Sequence, residues 1–171
     1  RKRDAAPAWE LVVKLEGHAG SIVAVVWAST GSKLATASRD NTVRLWRRGN
    51  DRRTVLLTAK LPFDCRVDAV AWSPEGTASG PFVLTGSQDK MVRIWQAEGD
   101  DASLWRVVST LGPHPDGVTS VSWSPEGNRI AAGSADSSTS VWHRRSASIT
   151  SWEQVDLRLA SIPRRPLSSR R

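Results

Sequence analysis

The sequence predicts an all-β fold built from repeated units of four antiparallel strands, and two observations predict it. The first is the stretch Gly17–Trp46. It reads Gly-His, an apolar run at Ile22–Trp27, a break at Ser29-Thr30-Gly31, then Leu34–Asp40 and Thr42–Trp46. Short β-rich runs separated by turn residues describe strands rather than a helix. The second is that the pattern returns twice. Val67–Trp72, Ser73–Gly76, Val83–Asp89 and Met91–Trp95 form one copy; Val118–Trp123, Ser124–Gly127, Arg129–Asp136 and Ser138–Trp142 form the other. Six residues separate Asp40 from Trp46, Asp89 from Trp95 and Asp136 from Trp142, and the final Trp recurs after 49 and then 47 residues. Self-similarity at such a period marks a repeat architecture.

A fourth run completes each unit. Leu104–Leu111 and Ser151–Leu157 carry a Trp near their start, as does Trp9–Leu15, while the second copy's version at Arg53–Lys60 has none. This explains an unusual aromatic content of nine Trp, two Phe and no Tyr. Trp27, Trp72 and Trp123 end the first strands, Trp46, Trp95 and Trp142 end the third, and Trp9, Trp105 and Trp152 open the outer ones. Periodic Trp of this kind reads as core, since each buries a large apolar area. Gly76 to Asp89 is four residues longer than Gly31 to Asp40 or Gly127 to Asp136, so Thr77–Pro81 is expected to be a lengthened hairpin loop.

Composition narrows the classes further. The net charge of +7 sits at the ends: residues 9–142 hold 14 basic and 14 acidic side chains, leaving the excess to 1–8 and 143–171. The domain reading is therefore a basic arm at 1–8, repeats over 9–159 (9–47, 53–96, 104–143 and the start of another at 151–159), and a disordered Arg/Pro/Ser tail at 160–171. No apolar run approaches the ~20 residues a membrane helix needs, and Arg1-Lys2-Arg3-Asp4 is followed by no secretory core. A lone cysteine, Cys65, forbids an internal disulfide and suits a reducing compartment. Cytoplasm, or nucleus, is the expected location.

Gly17-His18…Asp40…Trp46 resembles the WD-repeat (WD40) signature, and the resemblance covers positions 9–159. The Asp that usually follows the final Trp is replaced by Arg47, Gln96 and His143. The resemblance implies β-propeller blades, here three whole blades plus an extra strand at Trp9–Leu15. Propellers typically close with four to eight blades, so the expectation is either part of a longer chain or copies that associate. It also implies a hydrogen-bonded chain of His, hydroxyl, Asp and Trp within each blade: His18, Ser38, Asp40 and Trp46 in the first, His114, Ser134, Asp136 and Trp142 in the third. The second supplies Ser87, Asp89 and Trp95, but Phe63 stands at the His register, so its chain is expected to be broken and the blade less rigid.

The same resemblance places a partner-binding face at Ser21, Val23 and Arg39, at Arg66, Asp68 and Gln88, and at Gly117, Thr119 and Ala135. Arg39, Arg66, Asp68 and Gln88 are expected to form one polar cluster. Ser, His and Asp recur in successive units, whereas a catalytic triad occurs once. Cys65 beside Arg66 reads as a loop cysteine. There is no Cys/His pair at zinc spacing and no Gly-rich phosphate loop. No enzyme, metal or cofactor is expected. The function implied is a protein-binding scaffold in a multiprotein complex. Within the family the strands look most like the cytosolic iron–sulfur assembly WD-repeat protein, with coat-complex and actin-related-complex WD subunits similar. The alternative is nucleic-acid or anionic-surface binding through the Arg-rich ends.

Overall fold

The computed structural model describes residues 10–51, 53–75, 81–99, 103–146 and 148–155. Within them lie twelve strands in three four-stranded antiparallel sheets. The first sheet is β1 (Ile22–Trp27), β2 (Lys33–Ser38), β3 (Thr42–Arg48) and β4 (Val55–Pro62). The second is β5 (Val67–Trp72), β6 (Phe82–Ser87), β7 (Val92–Ala97) and β8 (Trp105–Leu111). The third is β9 (Val118–Trp123), β10 (Arg129–Ser134), β11 (Thr139–Arg144) and β12 (Trp152–Gln154). Neighbours in sequence are neighbours within each sheet, so the connections inside a sheet are hairpins, while β4–β5 and β8–β9 pass from one sheet to the next. This is a partial β-propeller of three blades.

The turn between the second and third strand of each blade is set by its Asp. Asp40, Asp89 and Asp136 each accept, through Oδ1, the N–H two residues on, from Thr42, Met91 and Ser138 at 3.1, 3.1 and 3.0 Å. Such Asx bonds mimic a backbone turn. The residue between is left-handed in every case: Asn41, Lys90 and Ser137 have φ of 61°, 70° and 72°. Only Asn is at ease there. The carbonyl of that residue then receives the chain entering the next blade, from Phe63 N at 3.0 Å onto Asn41 and from His114 N at 2.9 Å onto Lys90.

Blades pack face to face, with β5 against β1 and β2 on one side and β9 on the other. The first seam joins Ala35, Ala37, Val43, Leu45, Ala59 and Leu61 to Val67, Val70, Trp72, Val83 and Trp95. The second joins Phe82, Leu84, Val92, Ile94 and Leu111 to Val118, Ile130, Ala132 and Trp142. A middle strand is covered on both faces, which is why β2 and β6 show no buried–exposed alternation. Gly86 marks the closest approach: a Cβ there would fall 2.5 Å from Val118 Cγ1.

Each seam uses the same registers of the later blade. Val70 and Trp72 are 7% exposed against the first blade, and Trp72 sits edge-on to Trp105 with ring centroids 6.0 Å apart. Trp123 and Trp152 repeat that pair at 5.7 Å. The equivalents in the first blade, Val25 and Trp27, are 59% and 52% exposed. Val55 stands where Trp105 and Trp152 stand, opposite Arg48 as they are opposite Ala97 and Arg144. Of the extra strand read at Trp9–Leu15, residues 10–15 are described; they join no ladder, with Leu11 80% and Val12 61% exposed. An isolated strand has nothing to bond its backbone to. Trp9, the arm at 1–8, most of the long hairpin loop at 77–81 and the tail from 156 lie outside the described residues.

The uncovered Val25–Trp27 register predicts self-association of the chain as expressed. Val25→Asp with Trp27→Ser changes two exposed side chains and should cost little stability. Light scattering over rising concentration should show the parent gaining mass and the double variant gaining much less.

Candidate functional site

The polar side chains singled out from the sequence divide between two places, the blade interiors and the rim formed by the Asp turns. In the first blade Trp46 Nε1 donates to Thr36 Oγ1 at 3.0 Å, Thr36 Oγ1 lies 2.8 Å from His18 Nε2, and His18 Nδ1 lies 2.9 Å from Asp40 Oδ2. An indole only donates. For a neutral imidazole, Thr36 therefore gives its proton to Nε2, and His18 gives its Nδ1 proton to Asp40. Asp40 also accepts from Ala19 N at 2.9 Å and from Thr42 Oγ1 at 2.6 Å. Burial alone would raise its carboxyl, but the bonds from Thr42, His18 and Ala19 win and hold it well below the usual carboxylate range.

The linking hydroxyl is thus Thr36, and Ser38 has another task. Ser38 Oγ donates to Gly20 O at 3.0 Å and accepts from Asp40 N at 3.2 Å, tying the loop ahead of β1 to the end of β2. Ser134 makes the same tie to Asp116 O at 3.1 Å. Thr36 and Ser38 share a face of β2, but only Thr36 is level with the indole, because Trp46 pairs with Leu34 and reaches across to the next residue on that face. The signal lay in the sequence as a hydroxyl ten residues before the Trp, at Thr36 and again at Thr85.

The second blade replaces the chain instead of breaking it. Trp95 Nε1 donates to Thr85 Oγ1 at 2.9 Å. Phe63 fills the His register and packs on Trp95, centroids 5.3 Å apart. Because a phenyl cannot bind Asp89, Arg93 does so: its Nη2 lies 2.5 Å from Asp89 Oδ2, its Nη1 donates to Ser87 Oγ at 3.1 Å, and its guanidinium lies 5.9 Å from the Phe63 ring centre. Ser87 Oγ donates to Asp89 as well. Burial pushes Asp89 upward, but Arg93 and Ser87 bring it below its ordinary value. The expectation of a looser blade therefore has no basis in missing bonds.

In the third blade Ala132 occupies the Thr36 and Thr85 position, so no hydroxyl bridges His114 to Trp142. Neither ring nitrogen of His114 has a partner, and the ring rests edge-on to Trp142 at 5.2 Å. Asp136 is taken by Ser138, whose Oγ donates at 2.7 Å, and its carboxyl is lowered by Ser138 and Ser134.

On the rim, Arg66, Asp68 and Gln88 come together. Arg66 Nε lies 2.7 Å from Asp68 Oδ1, and Asp68 Oδ2 accepts from Arg66 Nη2 at 3.1 Å and from Gln88 Nε2 at 2.5 Å. Arg39 does not join them. It is exposed and has no side-chain partner among the described residues, beside exposed Ser21 and the partly exposed Val23. Its own N–H donates to Ser21 O at 3.0 Å. Thr119 is exposed and donates to Gly133 O at 3.2 Å, Ala135 is exposed, and Gly117 is buried under the Gln88 amide. The expected four-residue cluster is a closed threesome plus a free arginine.

At the opposite end of the strands the β1–β2 and β5–β6 hairpins enclose a groove of about 320 Å³ lined by Ser29, Lys33, Trp72, Pro74 and Glu75, with no histidine or cysteine. Among the described residues no group of three or more His, Cys, Asp or Glu is placed to hold a metal ion. No helix among them is long and apolar enough to cross a membrane.

Blades of four strands, a repeated Asp turn and buried indoles bonded to threonine define a propeller of the WD-repeat class. The WD domain, G-beta repeat model matches residues 9–47, 57–96 and 105–143, and the chain belongs to that family. It is 30% identical over 139 residues to the F-box-like/WD repeat-containing protein TBL1X of Mus musculus, covering 75% of this chain and 24% of that protein. It is 32% identical over 130 residues to Protein HIR1 of Cryptococcus neoformans, covering 74% and 14%. It is 31% identical over 124 residues to Protein transport protein sec13 of Emericella nidulans, covering 72% and 38%. The chain thus spans well under half the length of each. These relatives lend no support to the narrower likeness to iron–sulfur assembly.

Thr36→Val should cost about 1–3 kcal/mol by stranding both the Trp46 N–H and His18 Nε2. Thr85→Val should cost less, since Phe63 offers no nitrogen to strand. Urea midpoints of the two variants check the order. Asp40 binds protons more weakly folded than unfolded, so its stabilisation is complete above the ordinary carboxylate value and is lost as pH falls toward the folded one. Asp40→Asn should remove that part of the acid slope in the same melts.

Proposed function

We propose that this chain is a non-catalytic scaffold whose Asp-turn rim binds protein partners within a multiprotein complex. One observation carries the reading. Groups that could do acid–base or nucleophilic work are occupied inside blades one and two, while Arg39, Ser21 and Val23 stand free on the rim with Thr119 exposed beside the third blade. Function on such a fold lives in sites grafted on it, and an unpaired arginine beside an exposed valine suits an interface anchor. The chain's relatives include an F-box-like/WD repeat-containing protein and a protein transport protein, names that suit subunits of larger assemblies. A role in iron–sulfur protein assembly rests on strand likeness alone, and the partners captured would decide it.

The closed Arg66–Asp68–Gln88 group alters the choice of test. Asp68 has a side chain only 13% exposed and two partners, so replacing it disturbs the rim itself. Arg39→Glu is the cleaner probe, since it touches no bond and adds repulsion as well as removing attraction. Affinity capture with partners identified by mass should lose them with Arg39→Glu and keep them when residues 160–171 are deleted. The reverse result, with capture falling steeply as salt rises, would transfer function to the Arg-rich end and an anionic surface.

A further inference from the structure

One interior group has no structural counterpart to its chemistry. His114 is 4% exposed, with neither Nδ1 nor Nε2 hydrogen-bonded. In the first blade the equivalent His18 has Asp40 and Thr36 on its two nitrogens. In the second the position is Phe63, which needs no partner. His114 thus sits as a phenyl would, on the Trp142 ring, with Ala132 where a hydroxyl stands in the other two blades. Its backbone N–H donates to Lys90 O, within the segment 112–117 that leads from β8 into β9 and carries the chain onto the rim.

No charge around it is bonded to the imidazole where it rests. Asp136, from the β10–β11 turn, spends Oδ1 on Ser138 N and Oγ, and makes no bond to either ring nitrogen. Lys90, from the β6–β7 turn, brings an ammonium onto Pro115 O at 2.8 Å, next to the imidazole in sequence. Asp116, in the same segment, accepts from Gly117 N at 2.7 Å. An imidazolium buried there would be unpaired, and a buried unpaired charge is costly enough that the group moves or the site opens. Burial accordingly lowers the His114 pKa from the ordinary imidazole value of 6.5, against a weaker upward pull from Asp136.

We propose that His114 is an acid-sensitive latch between the second and third blades. Neutral, it covers Trp142 and holds 112–117 against the Lys90 turn. Protonated, it leaves that site for water, uncovers the indole and frees the segment that ends at Gly117 and Thr119. The unfolded chain takes up the proton at the ordinary value and the folded blade only at lower pH. The latch therefore contributes its full stability above 6.5 and loses it progressively as pH falls below. The first blade has no such latch, because His18 would keep Asp40 as partner if it gained a proton.

Two substitutions copied from the chain itself test this. His114→Phe reproduces Phe63 on Trp95, and Ala132→Thr restores the hydroxyl of Thr36 and Thr85. Urea melts at about pH 7.5 and about pH 5.5 should show the parent's midpoint dropping on acidification, the Phe variant's dropping less, and the Thr variant's lying between. The protection of the amides in 112–119, taken against the intrinsic exchange rate at each pH, should fall several-fold in acid in the parent and not in His114→Phe. Equal midpoint losses in parent and Phe variant would overturn the latch. Should the Phe variant fold poorly, the parent decides by NMR: a His114 ring proton titrating in the folded state at the value it shows in urea also overturns it.

Discussion

The blades of this chain bury most of their apolar side chains against the faces of their neighbours. A four-stranded sheet carrying Ala35, Ala37, Val43 and Leu45 on one face and Leu34, Thr36 and Trp46 on the other has no solvent side over its middle strands. Stability therefore accrues at the seams, as in other repeat proteins where each unit contacts only its neighbours. That constraint accounts for the small residues at closest approach, Ala37 and Gly86, and for the large indoles that fill the wider outer part of each seam. It also accounts for Val25 and Trp27, which have the right chemistry for a seam and no blade to meet.

Within that frame the three blades solve one local problem in three ways. The third-strand indole N–H favours an acceptor, and the Asp of the turn needs donors. The first blade joins the two through Thr36 and His18. The second keeps Thr85 for the indole and gives Asp89 to Arg93, with Phe63 as an inert wall between them. The third omits the hydroxyl and keeps the imidazole, which leaves its histidine packed and unbonded. The spacing of Asp and Trp is constant because it fixes the hairpin. The group between them varies because several chemistries satisfy the same ends.

The rim is formed by the Asp turns, whose carboxylates are engaged in bonds that hold the fold. What faces outward is the residue before each Asp: Arg39, Gln88 and Ala135. Gln88 is drawn sideways onto Asp68 and over Gly117 of the third blade, which turns the second blade's polar rim into a self-satisfied group. Arg39, at the first blade, is left to meet something else.

The sequence by itself determined the repeat, the strand order, the hairpin turns and the burial of the third-strand Trp46, Trp95 and Trp142, because these depend on residues close in the chain and on a period that can be counted; it also placed Trp27 in the core, where the structure leaves it half exposed. Phe63 at the His register and the missing partner of Trp9–Leu15 were legible for the same reason. Only the tertiary structure decided that Thr36, and not Ser38, bridges the indole, since both lie on one strand face and the choice depends on how far Trp46 reaches across a twisted sheet. Only it assigned Arg93 to Asp89, an exchange made possible by space that a phenyl leaves. Only it separated Arg39 from the Arg66–Asp68–Gln88 group, because side chains on neighbouring blades meet through the angle between sheets, and no local pattern of residues records that angle.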